Sequence, residues 1–167
     1  NGSPAVIEKP QLTYTRIAEM FGDNYKQLVV DTAIQLGINS ELKFFAVPKP
    51  HEGSKAKYLV EQEIGEDLIL ASVLEDGEES SEHRHRKSPM RGEYYRRVRG
   101  NLTGRIEGEG FSEDFEINEE NPDKHVPMNA WHQVKAKGGP ALTFIIMWGA
   151  ALVPADERHE HRNSAAF

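Results

Sequence analysis

From residue 41 to residue 149 the chain is a succession of short runs rich in Val, Ile, Leu, Phe and Tyr, and this texture limits the fold more than any other feature. "ELKFFAV", "KYLVEQEI", "DLILASVL", "GEYYRRVRG", "LTGRIEG", "FSEDFEIN", "HQVKAK" and "ALTFIIMWG" read as strands. Turn signals separate them: Glu75-Asp76-Gly77, Gly108-Glu109-Gly110, Asn121-Pro122-Asp123 and Gly138-Gly139-Pro140. Short strands punctuated in this way build a sandwich or a barrel. Ahead of them, "TRIAEMFGDNYKQLVVDTAIQLG" carries apolar clusters at helical spacing, with Gly22 placed to break it and Gly37 to stop it. The expected organisation is an arm and helical segment over 1–40, a barrel over 41–153 and a tail over 154–167. The tail, "ADERHEHRNSAAF" after Pro154, has little to bury and reads as disordered.

Composition removes several classes of function. With 20 Lys and Arg against 27 Asp and Glu, the net charge is -7, which disfavours general binding to nucleic acid or an anionic membrane. No apolar run approaches the ~20 residues of a membrane-spanning helix. Nothing at the start reads as a signal peptide, and there is no cysteine, so the expected location is the cytoplasm. Without thiolates, any metal must be held by imidazole and carboxylate, a donor set that suits Fe(II), Mn, Zn, Ni or Co.

The chemistry concentrates in "SSEHRHRKSPMRGEYYRRVRG". On a strand, alternate side chains share a face, so His83 and His85 point the same way and can bind one metal. Glu93 opens the next strand, and a hairpin would return it beside the histidines. A remaining ligand must come from far along the chain, because one strand pair covers only one wall of a site. His132, in "VPMNAWHQV", starts a strand after a turn and is the best candidate. The alternative for His83 and His85 is a solvated strand end among Arg84, Arg86 and Lys87.

These residues resemble the two motifs of the cupin superfamily. Gly77, five residues, His83-x-His85, a gap of seven, Glu93, six residues and Gly100 follow the first motif, with a longer gap before the Glu than is usual. Asn121, five residues, then Pro127-x-Asn129-Ala130-Trp131-His132 follow the second, with asparagine replacing both glycines. Asparagine is the next-best residue for left-handed backbone, so the turns can survive. The Asn that the family carries four residues after the His is Ala136 here. The resemblance covers residues 77–148. It implies an all-β fold, a double-stranded β-helix in the form of a conical jelly-roll-like barrel, holding one divalent metal on His83, His85, Glu93 and His132. It also implies a homodimer. The longer gap and the Glu-x-Tyr are loosely similar to the cupin-type glucose-6-phosphate isomerases, whose Pro-Pro-Tyr turn is absent.

Alternation puts Tyr95 on the inward face with Glu93 and Tyr94 on the other. A phenol there either moves a proton or packs with its hydroxyl on a neighbour. Arg97 continues that face and either clamps an anionic substrate or pairs with surface carboxylates. His125 reads as structural, and His159-x-His161 in the tail as a mobile, adventitious metal binder. Three functions fit the cupin resemblance. The first is redox-neutral proton transfer, of isomerase or lyase type, on a small anionic sugar or carboxylic acid, with Tyr95 and Glu93 catalytic and Arg97 on the substrate. The others are an Fe(II) dioxygenase and a non-catalytic sensor of a small ligand.

Overall fold

The computed structural model describes residues 11–51 and 53–162; the start of the expected N-terminal arm and the last five residues of the tail lie outside it. Helix α1 (Tyr14–Phe21) starts where the Thr13 side chain accepts from the Arg16 backbone N–H at 3.2 Å, and it ends at Gly22, whose φ is +94°. Helix α2 (Tyr25–Gln35) follows, ending before Gly37 in the left-handed region. The break and the stop both fall where the glycines put them.

The strands are β1 (Lys49–Pro50), β2 (Lys57–Ile64), β3 (Asp67–Leu74), β4 (His83–Arg84), β5 (Gly92–Arg99), β6 (Leu102–Gly108), β7 (Phe111–Ile117), β8 (Asp123–Val126), β9 (Trp131–Ala136), β10 (Ala141–Trp148) and β11 (Glu160–His161). They form two antiparallel sheets, ordered β1-β2-β3-β10-β5-β8 and β11-β4-β9-β6-β7. The sheets face each other across one core, to which Leu70, Tyr95 and Ile145 contribute from the first sheet and Leu102, Ile106 and Val134 from the second. The fold is therefore all-β with an N-terminal helical pair.

The first sheet is covered on both faces. Along β3, Leu68, Leu70 and Leu74 point to the inter-sheet core, while Ile69, Ala71 and Val73 join the helices' Ile17, Phe21 and Val29 in a second core. Along β10, Ile145 and Met147 face inward and Leu142, Phe144 and Ile146 face the helices. Burial on both faces explains why "DLILASVL" and "ALTFIIMWG" are almost continuously apolar rather than alternating.

One expected strand does not form. "ELKFFAV" is irregular chain without a ladder, bending at Ala46 and Val47, although Leu42 is buried in the helical core. The Gln62 side chain serves the start of this segment in place of a partner strand, accepting from the Lys43 N–H at 2.8 Å and donating to the Glu41 carbonyl at 2.9 Å, and the Phe45 N–H donates to the Leu59 carbonyl at 2.9 Å.

The tail also departs from expectation. Its described part, residues 154–162, is held in place because β11 adds to the edge of the second sheet beside β4 and Arg158 is buried. A short apolar content does not prevent order when the backbone finds a strand edge and a guanidinium finds partners.

Candidate metal centre

The four expected ligands converge, by a route the sequence does not show. His83 on β4 lies in register with His132 on β9, so these two are cross-strand neighbours. His85 follows one alternation later, and its carbonyl accepts from the Asn129 N–H at 2.9 Å. Asn129 has φ +66°, the left-handed conformation that the motif's glycine would supply. Asn121 does not adopt it; among the described residues Asn129 alone, apart from glycines, has positive φ.

Glu93 does not return by a hairpin. β5 belongs to the opposite sheet from β4, so the seven residues after His85 cross the barrel and the carboxylate arrives from the facing wall. One ligand atom from each of His83, His85, Glu93 and His132 lies within 4.8 Å of all the others. All four residues are buried, at 8, 2, 3 and 1% exposure.

The ring orientations are preset. A carbonyl oxygen only accepts, so each imidazole donates from Nδ1: His83 to Ser81 at 3.1 Å, His85 to Arg158 at 2.8 Å and His132 to Ala130 at 2.9 Å. This fixes Nε2 as the inward-facing nitrogen on His85 and His132, each within 2.9 Å of Glu93 Oε2. Burial pushes the Glu93 carboxyl up, but the charge of His85 and the bonds from His132 and His85 outweigh it and hold the group well below the usual carboxylate range. Burial, then its neighbours His132 and His85, keep the His83 imidazole well below its ordinary value and thus neutral. Three imidazoles with committed Nδ1 atoms and one buried anion fit a divalent cation of the N/O-preferring kind.

Tyr95 faces the centre, as alternation requires. It is 3% exposed and lines the same chamber as Glu93. Burial and then the Glu93 charge raise its pKa well above the ordinary value, so the phenol keeps its proton. Tyr94 lies on the opposite face, bonded to Asp123 and packed at 5.9 Å on Trp148. His125 pairs with Tyr94 across the strands and is exposed, in keeping with a structural role.

Arg97 does not take the place expected of a substrate clamp. Its Nε donates to the Gly100 carbonyl at 2.7 Å, and it is absent from the lining of the chamber beside the centre. The strand ends at the Gly100 turn, and the guanidinium folds onto that turn instead of into the barrel.

The chamber has a volume of about 40 Å³ and is lined by Tyr58, Ser72, Ser81, Tyr95 and Thr143 together with aliphatic side chains. Outside it lies a groove of about 1270 Å³. His51 and His159 border both. The sequence reading missed Tyr58, Ser72, Thr143 and His51. Ser72 and Thr143 did leave a signal: each is a lone hydroxyl in an otherwise apolar run, and the two are register partners on β3 and β10. His159 lies beside the centre, outside the four converging groups. Its ring lies 5.0 Å from those of both His83 and His85, and burial, followed by His85, lowers its pKa to about 3.

The fold is that of a cupin barrel, and three histidines and one glutamate converge inside it. Solved structures agree on the fold. The chain is similar to a variant of Bacillus subtilis oxalate decarboxylase, with TM-score 0.57 and 16% identity over 74% of this chain and 33% of that one. Similarity to Lactobacillus farciminis oxalate decarboxylase gives 0.55 and 15% over 68% and 33%. A structure of the DMSP lyases RdDddP and RnDddQII gives 0.51 and 13% over 84% and 71%. The chain thus spans about a third of the oxalate decarboxylases it matches. No family model and no curated protein matches its sequence.

Proposed function

We propose that this chain is a metal-dependent lyase of the cupin type, cleaving a small carboxylic acid by redox-neutral proton transfer. The observation that carries the reading is that Glu93 and Tyr95, both buried, line one hydroxyl-bearing chamber beside three preset imidazoles. His83, His85, Glu93 and His132 would hold the metal, which when bound supplies Lewis acidity to a substrate carboxylate or carbonyl.

The chain's own groups define the rest. Tyr95 keeps its proton near neutral pH, so it serves as an acid or hydrogen-bond donor rather than as a base. Tyr58, Ser72 and Thr143 present further hydroxyls to substrate oxygens. No lysine or arginine lines the chamber, so an anionic substrate is bound there by the centre and by hydroxyls. A chamber of about 40 Å³ favours a small acid over a sugar phosphate, which supports the lyase reading over the isomerase one. The structural neighbours bear the names decarboxylase and lyase, which supports the same ranking.

The test is a screen of small mono- and dicarboxylic acids in deuterated water, under anaerobic conditions, with protein loaded separately with Mn(II), Fe(II), Co(II) and Zn(II). Turnover without oxygen, with more than one metal and with deuterium in the product, is expected. Strict dependence on oxygen with any substrate would replace the lyase by a dioxygenase. Binding of an acid without turnover under every condition would leave a ligand sensor.

A further inference from the structure

The segment after Pro154 is built into the centre. Arg158 is 7% exposed, and its guanidinium is held at three points: Nε donates to the carbonyls of Ala150 at 2.8 Å and Val153 at 3.0 Å, and Nη2 to Glu63 Oε1 at 2.7 Å. A buried guanidinium fastened at three points fixes the backbone that carries it. That backbone carbonyl is the acceptor for His85 Nδ1. The next residue, His159, packs edge-on against the rings of His83 and His85 and borders both the inner chamber and the outer groove.

Beyond His159 the hold is weaker. β11 makes only a two-residue ladder with β4. The ion pairs of Glu160 with Arg84 and Arg86, and of Arg162 with Glu107, each include a side chain at least two-fifths exposed; only the Arg162–Glu82 pair is more sheltered. Pairs of that kind contribute little individually. The strap is therefore anchored at Arg158 and lightly held beyond it, with an imidazole in the passage between.

We propose that the strap is a working part of the centre, with Arg158 as a positioning residue for His85 and His159 as the filter that sets the size of molecule reaching the metal. This rests on the reading of His83, His85, Glu93 and His132 as metal ligands. It extends that reading to a class of ligand: small anions pass, and bulky or aromatic ones do not. In most metal sites the partner of a ligating imidazole matters almost as much as the ligand, and its loss weakens metal binding by roughly 10–100-fold. Arg158 supplies that partner through its main chain, at a distance of 73 residues from His85.

Full-length protein loaded with Co(II) reports both roles, since its visible spectrum is sensitive to ligand geometry and to added anions. Arg158→Ala is expected to weaken Co(II) binding by roughly 10–100-fold and to alter the spectrum, with Arg158→Lys restoring part of each. In the wild type, azide is expected to perturb the spectrum and benzoate to leave it unchanged. In His159→Ala, with cobalt still bound, benzoate is expected to perturb it as well. Wild-type affinity and spectrum in Arg158→Ala would overturn the positioning role. Equal exclusion of benzoate by His159→Ala and wild type would overturn the filter. His132→Ala separates the two levels of argument: loss of cobalt there supports the centre on which the strap depends, whereas undiminished binding overturns the centre and this inference together. Should Arg158→Ala not fold, Arg158→Lys and His159→Ala still decide the outcome.

Discussion

Replacing Tyr95 by Phe removes a single oxygen from the middle of the site and separates a chemical role from a packing role. The ring remains, so no cavity opens in the inter-sheet core where Tyr95 is 3% exposed. What is lost is one buried hydroxyl in the chamber that Glu93 also lines. A typical hydrogen bond of such a hydroxyl contributes roughly 0.5–1.5 kcal/mol. Glu93 keeps its contacts to His85 and His132, so the cost is about 1 kcal/mol. For a chain of this length that corresponds to a fall in Tm of about 2–4 °C, read by thermal unfolding of metal-free protein. Metal content should be unchanged, since Tyr95 is not one of the four converging ligands. On the substrate found by the carboxylic-acid screen, loss of a general acid lowers kcat by roughly 10²–10⁴ with little change in substrate affinity. Tyr94→Phe is the control; its hydroxyl bonds to Asp123 on the outer face, and the change should cost under ~1 kcal/mol and leave the rate intact. A Tyr95→Phe protein that is destabilised as expected but turns over like wild type would refute the proton-transfer role and reduce Tyr95 to its packing role.

Elemental analysis should find one equivalent of divalent metal in the wild type and far less in His83→Ala and His132→Ala; metal retained by Glu93→Ala would mark a three-histidine centre with the carboxylate outside the ligand set. Gly100→Ala should lose stability by more than the ~1–3 kcal/mol of a left-handed non-glycine residue, because a Cβ there would sit 2.1 Å from the Pro140 carbonyl oxygen, and a urea midpoint close to wild type would contradict this. Burial, then the neighbouring Tyr14, raises the Tyr25 pKa to about 12. The folded state therefore holds that proton more tightly than the unfolded chain, so this stability is fully present below pH ~10 and lost as pH rises from ~10 towards 12. Tyr25→Phe should flatten the alkaline part of the urea-midpoint profile, and an unchanged slope would sink the assignment.

How much of this was legible in the sequence depends on the range over which each signal acts. The helix break at Gly22, the turn at Gly100 and the left-handed Asn129 are local, fixed by the φ that a few consecutive residues can adopt, and they stand in the structure where the sequence places them. Alternation is nearly as local; it puts Glu93 and Tyr95 on one face and Tyr94 on the other without knowledge of any partner strand. The motif spacing brought His132 to His83 because the register of two neighbouring strands carries the same information. Beyond that range the sequence is silent. It does not say that Glu93 approaches from the opposite sheet, that Arg97 folds back onto Gly100, or that Gln62 replaces a strand partner for residues 41–43. The tail shows the limit most clearly. Judged by its own apolar content, "ADERHEHRNSAAF" has nothing to hold it. The order of residues 155–162 comes from groups elsewhere: the free edge of β4, the carbonyls of Ala150 and Val153, and the carboxylate of Glu63. Sequence alone determines which backbone conformations and faces each segment can present. Only the tertiary structure decides which distant donors and acceptors meet, because a hydrogen bond or a strand edge is a property of two places in the chain at once.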